Sequence, residues 1–554
     1  MKRTTCLLAT MISTALVGCG SGDINIEPST TVSNSNNTTT TGGTDTTNDV
    51  CASYLNSGGQ TIQGTFDGTN CNYSPAFADA GNNITVDLTI PALANGGAHI
   101  FAGSLFIGET YDNDAAMVAA GIAEGGDGPV LTVEAGATLA WQSSADFMIV
   151  NRGSQLFAVG RADAPITFTS VSDVLGTLPS FDAVQQWGGM VINGFGVTNK
   201  CAYTGSVAGG DLATSDCHVD AEGAAGLDES QYGGDNNDDS SGRLEYVVVK
   251  HTGATVGNGD ELNGISFGGV GRNTIVENLE VYSTFDDGIE MFGGAVNFTN
   301  FLAVYVRDDS IDIDEGYSGT ITNSLVIQAE NIGNHCIEAD GIGSFDSLFA
   351  NDPTIIEDFI ARGLNSRPVI NNLTCIISPS AAQGDFDPGA GWRFREGIFA
   401  TVNDSMVISS FGPDSADSNY CLRIDNRSQQ AAQDGDLVIN SSVFACEEPA
   451  RDGSLPNGTT VEEFARTVGG NVFATLTGQT DATAAADPDL QLLEGTPPVL
   501  SIEYATMNVD GATLTGMPVN GTFVGGLSLG STNWLADWTF GINDGARDEP
   551  LWFE

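Results

Sequence analysis

The sequence predicts an all-β chain wound as a right-handed parallel β-helix, a disulfide-stapled solenoid with a few short helices in its insertions. Three observations predict it. Segments repeat every 22 or 23 residues, β-forming runs alternate with turn residues, and helical periodicity is nearly absent. The repeat is clearest where Val-Glu-Asn278-Leu-Glu-Val aligns with Phe-Thr-Asn300-Phe-Leu-Ala and with Ile-Thr-Asn323-Ser-Leu-Val. In the same register Asp286-Asp287-Gly288-Ile289-Glu290 meets Asp308-Asp309-Ser310-Ile311-Asp312, and Gly294 meets Gly316. Such a period, with Gly at corners and Asn at one recurrent place, fits coils stacked about 4.8 Å apart. The Asn amides are then expected to form a ladder inside a turn, continued less regularly by Asn372, Asn403 and Asn440. A leucine-rich repeat shares the period, but its L-x-x-L-x-L spacing is missing.

The N-terminus sets the compartment. Residues 1–18 hold Lys2 and Arg3, then an apolar stretch from Cys6 to Val17, which reads as a signal peptide and is too short to span a bilayer. Leu16-Val17-Gly18-Cys19 resembles the lipobox of bacterial lipoproteins, which implies a lipid on Cys19 and, with Gly20 rather than Asp following, delivery to the outer membrane. The mature chain is then held to a membrane by its lipid anchor only and is expected at the cell surface. Residues 19–50 are mostly Ser, Thr, Asn, Gly and Asp and read as a flexible tether. An N-terminal cap with the first strands is expected over 51–125, the β-helix over 126–490, and a C-terminal cap over 491–554.

The strand runs follow in order: Val130 to Val133, Phe147 to Val150, Ile166 to Thr169, Met190 to Ile192, Leu244 to Lys250, Ile275 to Tyr282, Phe298 to Val306 and Ile321 to Ile327. Short helices are expected only near Ala115 to Ala123 and Val461 to Val468. Beyond Cys6 and Cys19 there are eight cysteines, an even number that in an exported chain reads as disulfides. Spacing alone does not choose among the roughly 105 pairings of eight cysteines, and consecutive pairing, which closes short loops, is the expected one: Cys51 with Cys71, Cys201 with Cys217, Cys336 with Cys375, Cys421 with Cys446. No C-x-x-C supports a zinc knuckle or a c-type haem.

Pro129 to Ala137, Gly153 to Ser170, Trp187-Gly-Gly-Met-Val-Ile-Asn, Tyr232 to Gly253, Glu261 to Asn273, Asp308 to Gly319 and the tail around Phe523 and Trp534 to Trp538 resemble bacterial cell-surface β-helix lipoproteins of the pectate-lyase-like superfold. The resemblance implies the fold and not a chemistry.

Charge narrows the partners. With 18 Lys and Arg against 71 Asp and Glu the net charge is −53, and loss of Lys2 and Arg3 takes it to −55. Repulsion makes nucleic acid and anionic lipid poor partners, and no nucleic acid is expected. Carboxylates at this density call for cations, Ca²⁺ first, although acidity also provides solubility in salty surroundings. Strand alternation places Ile289, Met291, Ile311, Ile313, Ile337 and Ala339 inside, so Glu290, Asp312, Asp314, Glu338 and Asp340 share an outer, solvent-facing face on neighbouring coils. Further on, Arg393 and Arg395 flank inward Phe394, and Arg423 flanks Leu422 and Ile424, so the face turns from acidic to basic. Asp235, Asn237 and Asp239 offer oxygens at alternate positions as a calcium loop does, but Ser240 replaces the expected Gly, and the stretch equally fits a solvated turn.

Two function classes remain. One is an acidic, calcium-binding surface scaffold for an extracellular ligand or partner. The other is a polysaccharide lyase or glycoside hydrolase using Asp312, Asp314, Arg393 and Arg423. An accessory lipoprotein seated on an outer-membrane receptor protein is a third possibility. No G-x-S-x-G elbow is present, and His99, His218, His251 and His335 show no metal-ligand spacing and receive no role. Trp187, Trp392, Trp534 and Trp538 are read as core residues rather than sugar platforms.

Overall fold

The computed structural model describes residues 50–122, 127–221, 230–255, 261–378, 389–409, 419–446, 448–451, 453–473, 475–476, 489–490, 501–502, 508–509, 512–513, 523–527, 533–542 and 551. Cys19, the signal peptide and the tether up to residue 49 lie outside them. Ten short parallel strands stack into one sheet in the order Leu105–Ile107, Met148–Val150, Met190–Asn193, Ile265–Gly268, Ile289–Phe292, Ile311–Asp314, His335–Asp340, Ala390–Arg395, Tyr420–Ile424 and Glu448–Arg451. Longer strands carry the rest of each coil, among them Gly242–Lys250, Ile275–Tyr282, Asn297–Val304, Thr320–Ile327 and Val369–Ile377. This is a parallel β-helix, and its core is a set of columns. Ile265, Ile289 and Ile311 stack in register, as do Ile337, Trp392 and Leu422, all fully buried.

The long strands bend at one residue each. Tyr246, Asn278, Asn300, Asn323 and Asn372 have φ between 52° and 60° there, the left-handed region that Asn tolerates better than most residues. The Asn300 amide donates to the Asn278 carbonyl oxygen at 2.9 Å and Asn323 to Asn300 at 3.3 Å. The expected ladder exists, but it does not run on through Asn403 and Asn440. Those two stand one residue before the bend, where Asp404 and Ser441 take the positive φ, and they form a second ladder with Asn371 at 2.9 and 3.0 Å. Insertions after residue 327 conceal this one-residue offset from any fixed-period alignment.

Both ends are closed by local devices. The hairpin Ser53–Leu55 with Thr61–Gln63 covers the first coil, tied by the Cys51–Cys71 disulfide. At the other end the helix Val461–Thr467, capped by the Thr460 side chain on Glu463 N, buries Val461, Phe464 and Ala465 against the last coils. The remaining disulfides are Cys201–Cys217, Cys336–Cys375 and Cys421–Cys446. Helices also form at Asp114–Ala120, Val171–Val174, Phe345–Asn351, Pro353–Arg362 and Ser428–Asp434. None of the helices among the described residues is long and apolar enough to cross a membrane.

Of 491–554, Asn508–Val509 pairs with Ala512–Thr513 and, through Leu490, with strands that follow the last coil. Other parts lie along the flank of the coils, where Leu535, Ile542 and Leu551 pack with Leu302, Val304, Leu325, Ile327 and Ile376. The reason is in the strands: Leu302, Leu325 and Thr374 are in register and point outward, so this sheet is apolar on both faces and must be covered. Val524 and Gly525 tie down there through Gly525 N on Asp404 O and Gly526 N on Thr374 Oγ1.

Asn300→Ala removes two amide bonds and puts Ala at φ 60°. It is expected to destabilise the fold by about 2–4 kcal/mol, roughly 1 kcal/mol per bond and 1–2 for the backbone. Asn300→Gly, which relieves the backbone part, is expected to cost less. Guanidinium unfolding midpoints measure both.

Candidate functional site

Parallel register turns the outward positions of the ten-stranded sheet into one column. It runs Phe106, Ile149, Val191, Ser266, Glu290, Asp312, Glu338, Arg393, Arg423 and Arg451. Its apolar start is buried under the insertion that follows Asn193, in a cluster with Phe147, Ala221, Tyr232, Leu262 and Phe292. The acidic middle and basic end therefore adjoin on consecutive coils. A second column, Phe292, Asp314, Asp340 and Arg395, runs beside it.

The acidic face is not the open, solvated ladder that strand alternation suggests. Glu290, Glu338 and Asp340 are buried, while Asp312 and Asp314 are half-buried. Partners lie over it: Asn263 on Glu290, Arg393 and Arg395 on Glu338 and Asp340, and beside Asp314 the insertion holds Glu315, with Tyr232 and Thr198 donating to its Oε2 at 2.6 and 2.7 Å and Lys200 Nζ 3.5 Å from its Oε1. Burial pushes the carboxyls of Asp312 and Asp314 well above the usual range, and neighbouring carboxylates, led by Glu338 for Asp312 and Glu315 for Asp314, push them further.

Asp287 and Asp309, which the repeat suggests as corner residues, and His335, which the sequence leaves without a role, complete the cluster. Asp287 and Asp309 close the turns before their strands. Asp309 N donates to Asp287 Oδ1 at 2.9 Å and His335 N to Asp309 Oδ1 at 2.6 Å, so each side chain ties its coil to the next. The repeat Asp286-Asp287 over Asp308-Asp309 was the available signal, and the corner role it suggests does not exclude a ligand role. Ligand atoms of Asp287, Asp309 and Asp312 lie within 4.8 Å of one another, as do those of Asp309, His335 and Glu338. Burial, then Asp312, raises the Asp287 carboxyl, and burial, then Glu338, raises that of Asp309. His335 Nδ1 lies 2.8 Å from Asp309 Oδ1 and its Nε2 2.9 Å from the Tyr420 hydroxyl. Burial pulls this imidazole down to about 4 and lifts the Tyr420 phenol to about 12.

The other expected ligands are already engaged. Glu290 Oε2 accepts from Asn263 at 2.6 Å, and Asp314 Oδ1 accepts from Glu315 N at 2.6 Å. Glu338 receives Arg393 at 2.9 Å and Arg395 as well, and Arg395 also holds Asp340. Arg423 Nε is 2.9 Å from Asp425 Oδ2, and Arg451 stacks 4.3 Å from the Tyr420 ring centre. Of the calcium-loop candidates, one side-chain oxygen each of Asp235, Asn237 and Asp239 accepts from Thr214 N, Val197 N and Phe195 N respectively, bonds that hold the insertion between Asn193 and Gly242 together. Trp187 and Trp392 are fully buried in the core, and Trp538 is buried on the flank.

The arrangement can hold a hard cation on oxygen ligands from Asp287, Asp309 and Asp312, and it presents guanidinium groups two to four coils beyond Asp312. The family model for the pectate-lyase like β-helix domain matches residues 109–484. The chain belongs to that family. No curated protein and no solved structure is significantly similar to it.

In chelating buffer this cluster makes stability depend on pH with a definite sign. Folded-state values raised above the unfolded ones mean that the stability is complete below about pH 4 and is lost as pH rises through the folded values. Asp312→Asn is therefore expected to lessen the loss of unfolding midpoint between about pH 5 and about pH 8. An unchanged loss contradicts the cluster's role.

Proposed function

We propose that the protein is a lipid-anchored scaffold of the outer-membrane surface that binds Ca²⁺ at Asp287, Asp309 and Asp312 and an anionic extracellular polysaccharide beside it. The observation that carries this reading is the outward column in which Glu290, Asp312 and Glu338 give way to Arg393, Arg423 and Arg451 on successive coils. Stacked carboxylates with raised proton affinity repel one another unless a proton or cation lies between them, and Ca²⁺ accepts oxygen ligands at about 2.3–2.6 Å in adaptable geometry. The arginines supply planar donors suited to carboxylate or sulfate groups. Few other cations compete for such a ligand, because the chain carries only 18 Lys and Arg. The anchor rests on Leu16 to Cys19 and the tether after it, and membrane fractionation of Cys19→Ala against the wild type tests it.

Isothermal calorimetry of the full chain with CaCl₂ is expected to show saturable binding that weakens at least tenfold, about 1.4 kcal/mol, in Asp312→Asn. Arg423→Ala is expected to leave Ca²⁺ binding intact and to weaken retention on immobilised polygalacturonate. Equal Ca²⁺ binding by wild type and Asp312→Asn contradicts the assignment.

One observation favours a second reading, cleavage of that polysaccharide. Asp309, His335 and Tyr420 are hydrogen-bonded in series, the order in which a carboxylate orients an imidazole that in turn takes a hydroxyl proton. Unsaturated product formed from polygalacturonate by the wild type and not by Tyr420→Phe supports it. No product from either leaves the scaffold.

A further inference from the structure

On the flank covered by the C-terminal segment, away from the acidic face, Lys250 Nζ lies 2.7 Å from Asp173 Oδ2. Lys250 ends the strand Gly242–Lys250, and Asp173 stands in the short helix Val171–Val174. The lysine side chain is 9% exposed and that of Asp173 18%. The Phe540 ring centre lies 3.9 Å from Nζ and shields the amine from water. Thr169 Oγ1 donates to Asp173 Oδ2 at 2.7 Å, and His251 Nε2 is 3.8 Å from Asp173 Oδ1.

A third carboxyl stands beside this pair. Glu280 belongs to the next coil, opposite Val248, and so shares the outward face of Lys250. It is completely buried, accepts from Phe540 N at 2.7 Å through Oε2, and its Oε1 has no hydrogen-bond partner. Phe540 joins Glu280 and Lys250, its N donating to Glu280 while its ring faces Lys250 Nζ, and burial raises the proton affinity of Glu280 well above the ordinary carboxyl range. One oxygen of this carboxyl fastens Phe540 N, and the other is left uncommitted in apolar surroundings, where it can carry a proton.

We propose that Lys250 and Asp173 condense into an intramolecular isopeptide bond, with Glu280 moving the protons. The resting pair is ionic, because against the effect of burial the Lys250 charge and hydrogen bond hold the Asp173 carboxyl below its ordinary range. A proton must therefore pass from Nζ to the carboxylate before attack, giving a neutral amine and a neutral carboxylic acid. Nζ then attacks Cγ of Asp173, the N–C bond forms and the Cγ–O bond breaks. The hydroxyl departs with a proton as one water, and Glu280 takes a proton from nitrogen and returns it to the leaving oxygen. One amine and one acid become one amide and one water, and no oxidant or reductant is needed. Holding the groups in contact supplies the effective concentration that dilute amines and acids lack.

The test is peptide mass spectrometry of the full chain after reduction and trypsin digestion. The bond is expected to appear as a branched peptide joining residues 162–200 to residues 244–272, uncut at Lys250 and lighter by one water than its two parts. Asp173→Ala is expected to abolish it. Glu280→Gln, which preserves the acceptor for Phe540 N, is expected to slow its formation about 100-fold or more. Recovery of 244–250 cut at a free Lys250, with no branched species in the wild type, overturns the bond and leaves an ion pair. A branched species formed equally fast in Glu280→Gln overturns the role of Glu280.

Discussion

Parallel pairing at about 4.8 Å per coil is the constraint on which the rest depends. It obliges each side chain to sit over the residue at the same position of the preceding coil. Inside, the obligation produces columns such as Ile265, Ile289 and Ile311, fully buried and of like shape. At the bends it lets one Asn amide satisfy the next. Outside, it brings like charges together whether or not that is favourable, and the chain must answer each such column with a counter-charge, a proton or a cover.

The two outward faces answer differently. Under the C-terminal segment the column is largely apolar, with Glu280 buried in it on Phe540 N, and is covered by Leu535, Ile542 and Leu551. On the ten-stranded sheet it is left charged, and only part of it is neutralised from within. Arg393 and Arg395 compensate Glu338 and Asp340, whereas Asp287, Asp309 and Asp312 lie together with no arginine among them. The uncompensated acids thus stand one coil from the compensated ones, which is the asymmetry that an oxygen-seeking cation would complete.

Much of this was legible in the sequence where local rules operate alone. The repeat through Asn278, Asn300 and Asn323 gave the coil, and alternation in Ile311 to Asp314 gave inside and outside. What was hidden depended on segments distant in sequence. The partners that lie on Glu290 and Asp340, Asn263 and Arg395, stand 27 and 55 residues away, and no periodicity in the strands announces them. His335 has no metal-ligand spacing because its partners Asp309 and Tyr420 come from different coils, one 26 residues before and one 85 residues after. The helix Pro353–Arg362 is a different kind of omission. Asp352 as N-cap, Pro353 in the first turn and Gly363 at φ 75° just beyond its end are local signals that a strand-dominated reading passed over.

The account stands most directly on whether a cation occupies the acidic end of the outward column. Anomalous diffraction from crystals grown with Ca²⁺ and exchanged with a lanthanide measures this without reference to any ligand or activity. A single strong peak among Asp287, Asp309 and Asp312, absent in crystals of Asp312→Asn, is the predicted result. Peaks confined to exposed acidic loops, with those three carboxylates left to one another, would contradict it.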